Sequence, residues 1–136
     1  MTVKIVRDSM PTTTGSPEWF TGTVLLDAIA TPSETMRLQA VSVHFTPGAR
    51  TAWHTHPHGQ TLYVTEGVGR AQRKGGPVET IRAGDRVVFE PGEEHWHGAA
   101  PDRFMTHIAM QNVDERGASA TWGRHVTDAE YEQSPE

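Results

Sequence analysis

The amino-acid sequence predicts an all-β chain, a barrel or sandwich of short antiparallel strands followed by one short C-terminal helix. Three observations predict it. Turn signals recur at Pro47-Gly48, Pro57, Gly67, Gly76-Pro77, Gly84-Asp85, Pro91-Gly92 and Pro101-Asp102, separated by seven to ten residues. Turns at that spacing mark architectures built from short strands. The segments between them show no helical periodicity, and the 13 Gly and 9 Pro of the chain exceed average usage, as a turn-rich all-β chain requires.

The elements follow in order. Residues 3–7 (VKIVR) alternate like a short strand, and residues 9–17 (SMPTTTGSP) form a turn-rich arm. Composition typical of a strand resumes over 19–26 (WFTGTVLL) and breaks over 27–34 (DAIATPSE). Residues 38–46 (LQAVSVHFT), rich in β-branched and aromatic side chains, are the strongest early strand. Further strands are expected over 52–56, 61–65, 70–73, 78–82, 86–89, 95–98 and 103–112. Thr127-Asp128-Ala129-Glu130 fits a capping box with Thr127 as N-cap. It opens a helix over 127–133, too short to stand unless it docks on the barrel. The expectation is a single domain over 1–136, with an N-terminal strand and arm over 1–18 and a barrel core over 38–112.

Composition narrows the function. The formal net charge is -5, and no basic stripe with interleaved aromatics runs along the chain, which argues against nucleic acid as a partner. There is no cysteine, so disulfides, thiolate metal ligands, iron–sulfur clusters and cysteine nucleophiles are excluded. No apolar run approaches membrane-spanning length, and the first residues lack a signal-peptide core, so the expectation is a soluble cytoplasmic protein without a membrane partner.

Two stretches carry the metal-ligand candidates. In residues 48–67 (GARTAWHTHPHGQTLYVTEG), His54 and His56 share one face of an expected strand, a ready pair of metal ligands. His58 falls in the following turn, and Gln60 lies just beyond it. Residues 84–97 (GDRVVFEPGEEHWH) add His95 from a second strand. On residues 104–112 (FMTHIAMQN), His107 and Gln111 share a face; if it looks inward, His107 is placed as a general base and Gln111 as a ligand-orienting group. His97 shares a face with His95. Val41 and Val43 share another and would form an apolar pocket wall, although ordinary core packing accounts for them equally well. His44 is a weaker candidate. Trp53 and Trp96 flank these histidines and should point away from them, packed under another sheet or buried between subunits.

Taken together, the two stretches resemble the paired motifs of the cupin superfamily. Gly48, His54, His56 and Gly67 keep the first motif's spacing, with Gln60 where Glu is usual. Gly84, Gly92 and His95 keep the second, with Pro91 one place late and Ala99 in place of Asn. The resemblance implies a double-stranded β-helix barrel with a divalent metal bound by His54, His56, Gln60 and His95. A carboxamide in place of a carboxylate leaves a bound ion one formal charge more positive, which favours Lewis-acid chemistry over oxygen activation.

Residues 19–24, 47–57, 59–62, 91–93 and 95–100 further resemble the small single-domain bacterial cupins that include manganese-dependent hydroxynitrile lyases, many of which carry only a generic or carboxymuconolactone-decarboxylase-like label. That resemblance implies manganese, with iron, zinc, nickel or cobalt as alternatives. It also implies cyanohydrin cleavage or formation in which the metal acidifies the hydroxyl and His107 takes the proton, and a homo-oligomer, dimer or tetramer. A metal-dependent cupin dioxygenase or isomerase and a non-catalytic small-molecule or metal binder are the competing readings.

Overall fold

The computed structural model describes residues 2–8 and 10–136. Among the described residues twelve strands precede one helix: β1 (Thr13–Thr14), β2 (Phe20–Thr21), β3 (Val24–Ala30), β4 (Leu38–Phe45), β5 (Arg50–Thr51), β6 (His54–Thr55), β7 (Gln60–Arg73), β8 (Glu79–Arg82), β9 (Arg86–Phe89), β10 (His95–Ala99), β11 (Met105–Asn112), β12 (Thr121–Trp122) and α1 (Asp128–Tyr131). The main path of neighbours is β1-β3-β4-β11-β7-β10-β5-β2. The long β7 belongs to two sheets. Its first part pairs β11 and β9, and its last part pairs β10 and β8. A strand that serves two sheets must bend, and Gly67, at φ 80°, lies at the bend. A Cβ there would collide with the Phe104 carbonyl oxygen.

Strand periodicity turns into interior rows. β11 lies between β4 and β7 and presents Met105, His107, Ala109 and Gln111, all buried, to one side. Its register sets Val43 and Val64 beside His107, Val41 and Leu62 beside Ala109, and Gln39 beside Gln111. Apolar members of these rows merge with Val24, Phe45, Phe89 and Met105 into the main core. The histidines and glutamines are polar insertions in this otherwise apolar face.

A second core accounts for the terminal helix. Trp53, Trp96, Val78, Val126 and Tyr131 pack together, each large buried side chain contributing roughly 1.5–3 kcal/mol. The Tyr131 hydroxyl donates to the Ala99 carbonyl at 2.5 Å, and the Arg50 guanidinium sits 4.5 Å over the Tyr131 ring. Thr127 and Glu130 form the expected capping box. The helix is shorter than the expected 127–133 because its C-cap falls at Glu132.

Several expectations are corrected. The described part of the 3–7 segment forms no strand, and Val3, Ile5 and Val6 are exposed; alternation without a pairing partner does not make a strand. Ser9, at the start of the expected arm, lies outside the described residues, and Thr13–Thr14 within that arm pairs with β3. The expected break at Asp27 is delayed, because pairing with β4 carries β3 through Ala30. The strands expected over 61–65 and 70–73 are one strand, since Gly67 bends the chain without ending its ladder. Trp53 and Trp96 are 4% and 0% exposed within their own chain, so they supply no argument for a subunit interface.

Candidate metal centre

β6 and β10 are cross-strand neighbours with His54 directly opposite His95, which brings residues distant in sequence into ring contact. The His54 and His95 ring centroids are 4.3 Å apart, His54 and His56 4.9 Å, and His56 and His95 5.3 Å. Each of the three donates its Nδ1 proton to a backbone carbonyl: His54 to Ala52 at 2.8 Å, His56 to Ser119 at 2.6 Å and His95 to Glu93 at 2.8 Å. A carbonyl can only accept, so in the neutral rings the lone pair of each imidazole is on Nε2. Burial keeps them neutral. It holds His54 well below the usual histidine range, lowers His56, and pushes His95 down to about 3.

Gln60 completes the set with a fourth acceptor. Its Nε2 donates to Gln111 Oε1 at 3.0 Å, which leaves Oε1 facing His95 Nε2 at 3.1 Å. Both of those atoms are acceptors, so no hydrogen bond joins them in the neutral state. Among the described residues, buried His56 Nε2 has no hydrogen-bond partner either. Lone pairs facing one another in a buried site, each imidazole fixed by a carbonyl behind it, are satisfied by a cation. The donor set, imidazole and amide oxygen, suits divalent first-row metals. By nitrogen-to-nitrogen distance the histidines that close within 4.8 Å of one another are His54, His95 and His97, whereas His56 joins His54 and His95 by ring contact. This histidine-rich site can therefore hold a divalent metal. His97 differs from the other three in its anchoring, since its Nδ1 faces His107 Nε2 at 2.9 Å rather than a carbonyl.

The site opens into a cavity of about 240 Å³. His54, His56, Gln60, His97, His107 and Gln111 line it, with Val41 and Val43 on the apolar wall. All the expected site residues except His95 therefore reach one cavity. His95 lies behind it, stacked on Phe89 at a ring separation of 3.6 Å. His97 and His107 form a buried pair, held neutral by that burial, which pushes His107 down to about 3 and His97 well below its usual range. His97 Nε2 and His107 Nδ1 have no hydrogen-bond partner among the described residues. Gln111 lines the cavity while accepting from Gln60 and donating to Gln39 Oε1 at 2.6 Å. His44 pairs with Asp27 at 2.8 Å away from the cavity, and His58 is exposed in its turn.

Sequence reasoning missed the rest of the cavity. Trp122 stacks on His54 with centroids 4.5 Å apart and on Trp19 at 5.2 Å, and Ser119 anchors His56. No motif marks this C-terminal segment; it reaches the site only because β12 pairs with β6. Gln39 did carry a signal, since the period of two that selects Val41 and Val43 extends to it.

Residues 41–108 match the family described as the cupin domain. The chain is a cupin. It is 55% identical over 117 residues, 86% of this chain and 88% of the other, to a protein named (R)-mandelonitrile lyase from Granulicella tundricola. A cupin-like protein from Thermotoga maritima superposes with a TM-score of 0.84 at 40% identity, covering 90% of this cupin and 92% of that chain. A cupin-2 domain protein from Rhodospirillum rubrum shares the fold at a TM-score of 0.71 and 16% identity, over 95% of this chain and 82% of its own. The β-barrel with a short C-terminal helix is thus the cupin barrel. No described helix is long and apolar enough to cross a membrane.

Proposed function

We propose that this cupin is a metal-dependent lyase that cleaves and forms cyanohydrins, with His54, His56, Gln60 and His95 holding the ion and His107 moving the proton. One observation carries the proposal: His54, His56 and Gln60, with His95 against Gln60 behind them, share an apolar-walled cavity with a neutral, partly unsatisfied histidine pair. The name of the 55% identical relative supports the reaction class. His56 is preferred to His97 as the third imidazole ligand because it shares the carbonyl anchoring of His54 and His95, whereas His97 is engaged with His107. A divalent ion held there, manganese by the resemblance of the chain, would supply Lewis acidity that makes a substrate hydroxyl more acidic.

The protein's own groups do the remainder. Val41, Val43, Phe20 and Trp122 enclose the organic group of the substrate. His107 accepts the hydroxyl proton, the electron pair of the carbon–carbon bond leaves with cyanide, and the carbonyl forms. The proton then passes to cyanide, releasing hydrogen cyanide; synthesis runs the same steps in reverse. Burial holds His107 neutral, the form that can accept a proton and later return it. His97 shares that proton across the 2.9 Å contact. A homo-oligomer is part of the same proposal and is read by light scattering.

The test is mandelonitrile cleavage by the protein stripped with a chelator and then reloaded with manganese, iron or zinc. Activity should disappear on stripping and return with metal. Full activity in the stripped protein would end the metal-dependent reading, and turnover only with dioxygen uptake would replace it with an oxygenase.

A further inference from the structure

Gln60 differs from a carboxylate ligand in one respect that matters at a metal: it has a wrong end. Its Oε1 can ligate, but its NH₂ cannot, and nothing in the histidine cluster prefers the oxygen before an ion arrives. The preference there is the reverse. With Nδ1 of His95 donating to Glu93, His95 Nε2 is a lone pair 3.1 Å from Gln60 Oε1, and rotating the amide would give that lone pair a donor. Some other part of the protein must hold the oxygen inward.

The holding groups lie in one row across three adjacent strands. Gln39 of β4 is the register partner of Gln111 of β11, and Gln60 continues the β7 register beside them, one residue before the Thr61 that pairs with Met110. Gln60 Nε2 donates to Gln111 Oε1 at 3.0 Å, and Gln111 Nε2 donates to Gln39 Oε1 at 2.6 Å. The polarity of Gln60 follows from Gln111, and that of Gln111 from Gln39 at the half-buried end of the row. Gln60 cannot turn alone, because its oxygen would then meet Gln111 Oε1, and Gln111 cannot turn without meeting Gln39 Oε1. Gln60 and Gln111 are 6% and 8% exposed, so a partner lost from the row leaves a nearly buried amide group to be satisfied.

From this row we infer that Gln39 and Gln111 are positioning residues that set which end of Gln60 faces the metal site. The inference rests on Gln60 being a ligand. Gln39 lines the same cavity but touches Gln60 only by way of Gln111, so its effect on how Gln60 ligates passes through amide orientation. Removing a residue that hydrogen-bonds a ligand directly typically weakens metal binding about 10–100-fold, and Gln39, one amide further out, belongs at the low end of that range.

The experiment measures manganese affinity by chelator competition on metal-stripped, folded protein, with thermal unfolding as the check on folding. Gln39→Leu should weaken binding about tenfold. In a Gln60→Glu background it should weaken binding less than about twofold, because a carboxylate has no wrong end. Gln39→Glu, which offers only acceptors to Gln111 Nε2, should retain parental affinity or exceed it. Unchanged affinity in Gln39→Leu, equal losses in the parental and Gln60→Glu backgrounds, or a loss in Gln39→Glu as large as in Gln39→Leu would each overturn the inference. Gln60→Leu separates the two readings. If it leaves affinity intact, Gln60 is not a ligand and both fail; if it weakens binding while Gln39→Leu does not, only the relay fails.

Discussion

His107→Gln isolates the proton-transfer role. His107 is 0% exposed, so truncation to Ala would leave a cavity and cost about 2–4 kcal/mol of stability, confusing loss of fold with loss of chemistry. Gln fills much of the same space and can still hydrogen-bond His97 Nδ1, the partner at 2.9 Å in the parent, but an amide does not accept a proton at neutral pH. General-base catalysis is worth about 10²–10⁴ in rate, equivalent to roughly 3–5 kcal/mol of barrier. The expected result is a fall of that size in kcat for mandelonitrile cleavage. Manganese content should be unchanged, because His107 lacks the carbonyl anchoring that turns His54, His56 and His95 toward one another. Elemental analysis and steady-state kinetics on the same sample read both quantities. A kcat within about threefold of the parent, far short of the general-base contribution, would refute the assignment of His107 as the base, and loss of the metal would show that it belongs to the ligand set.

Two further predictions concern the scaffold. Glu130 closes the capping box and pairs with Arg124 at 2.7 and 2.8 Å; that pairing, with the Thr127 backbone bond, holds its carboxyl down at about 2 from an ordinary 4.5. A lowered carboxylate pKa stabilises the fold above the unfolded value and loses that contribution as pH falls toward the folded one. Glu130→Ala should therefore cost about 1 kcal/mol at pH 7, with the gap from the parent narrowing below pH 4.5 toward about 2; a gap independent of pH in thermal melts would contradict the ion-pair account. Gly67→Ala combines a positive φ of 80° with a collision against the Phe104 carbonyl, and should destabilise by more than about 1 kcal/mol. Denaturant unfolding indistinguishable from the parent would show that β7 can bend elsewhere.

Much of this protein is local information. The two histidine-bearing stretches and Gln60 stand at fixed spacings, the Pro and Gly punctuation marks short strands, and Thr127 to Glu130 announces a cap; each depends on residues a few positions apart. Period-two alternation likewise puts His107 and Gln111 on one face without any partner strand being known. What alternation could not tell is whether a segment finds a partner. Residues 3–7 alternate and remain unpaired, whereas β3 runs past the expected break because β4 lies beside it. The same limit governs the site. Sequence by itself determined which side chains were chemically able to hold a metal, because ligand type and spacing are properties of the chain. Only the tertiary structure decided which carbonyls fix the histidines, that Gln39, Gln111 and Gln60 form one directed row, and that Trp122 closes over His54, because those relations arise from strand register between segments distant in sequence.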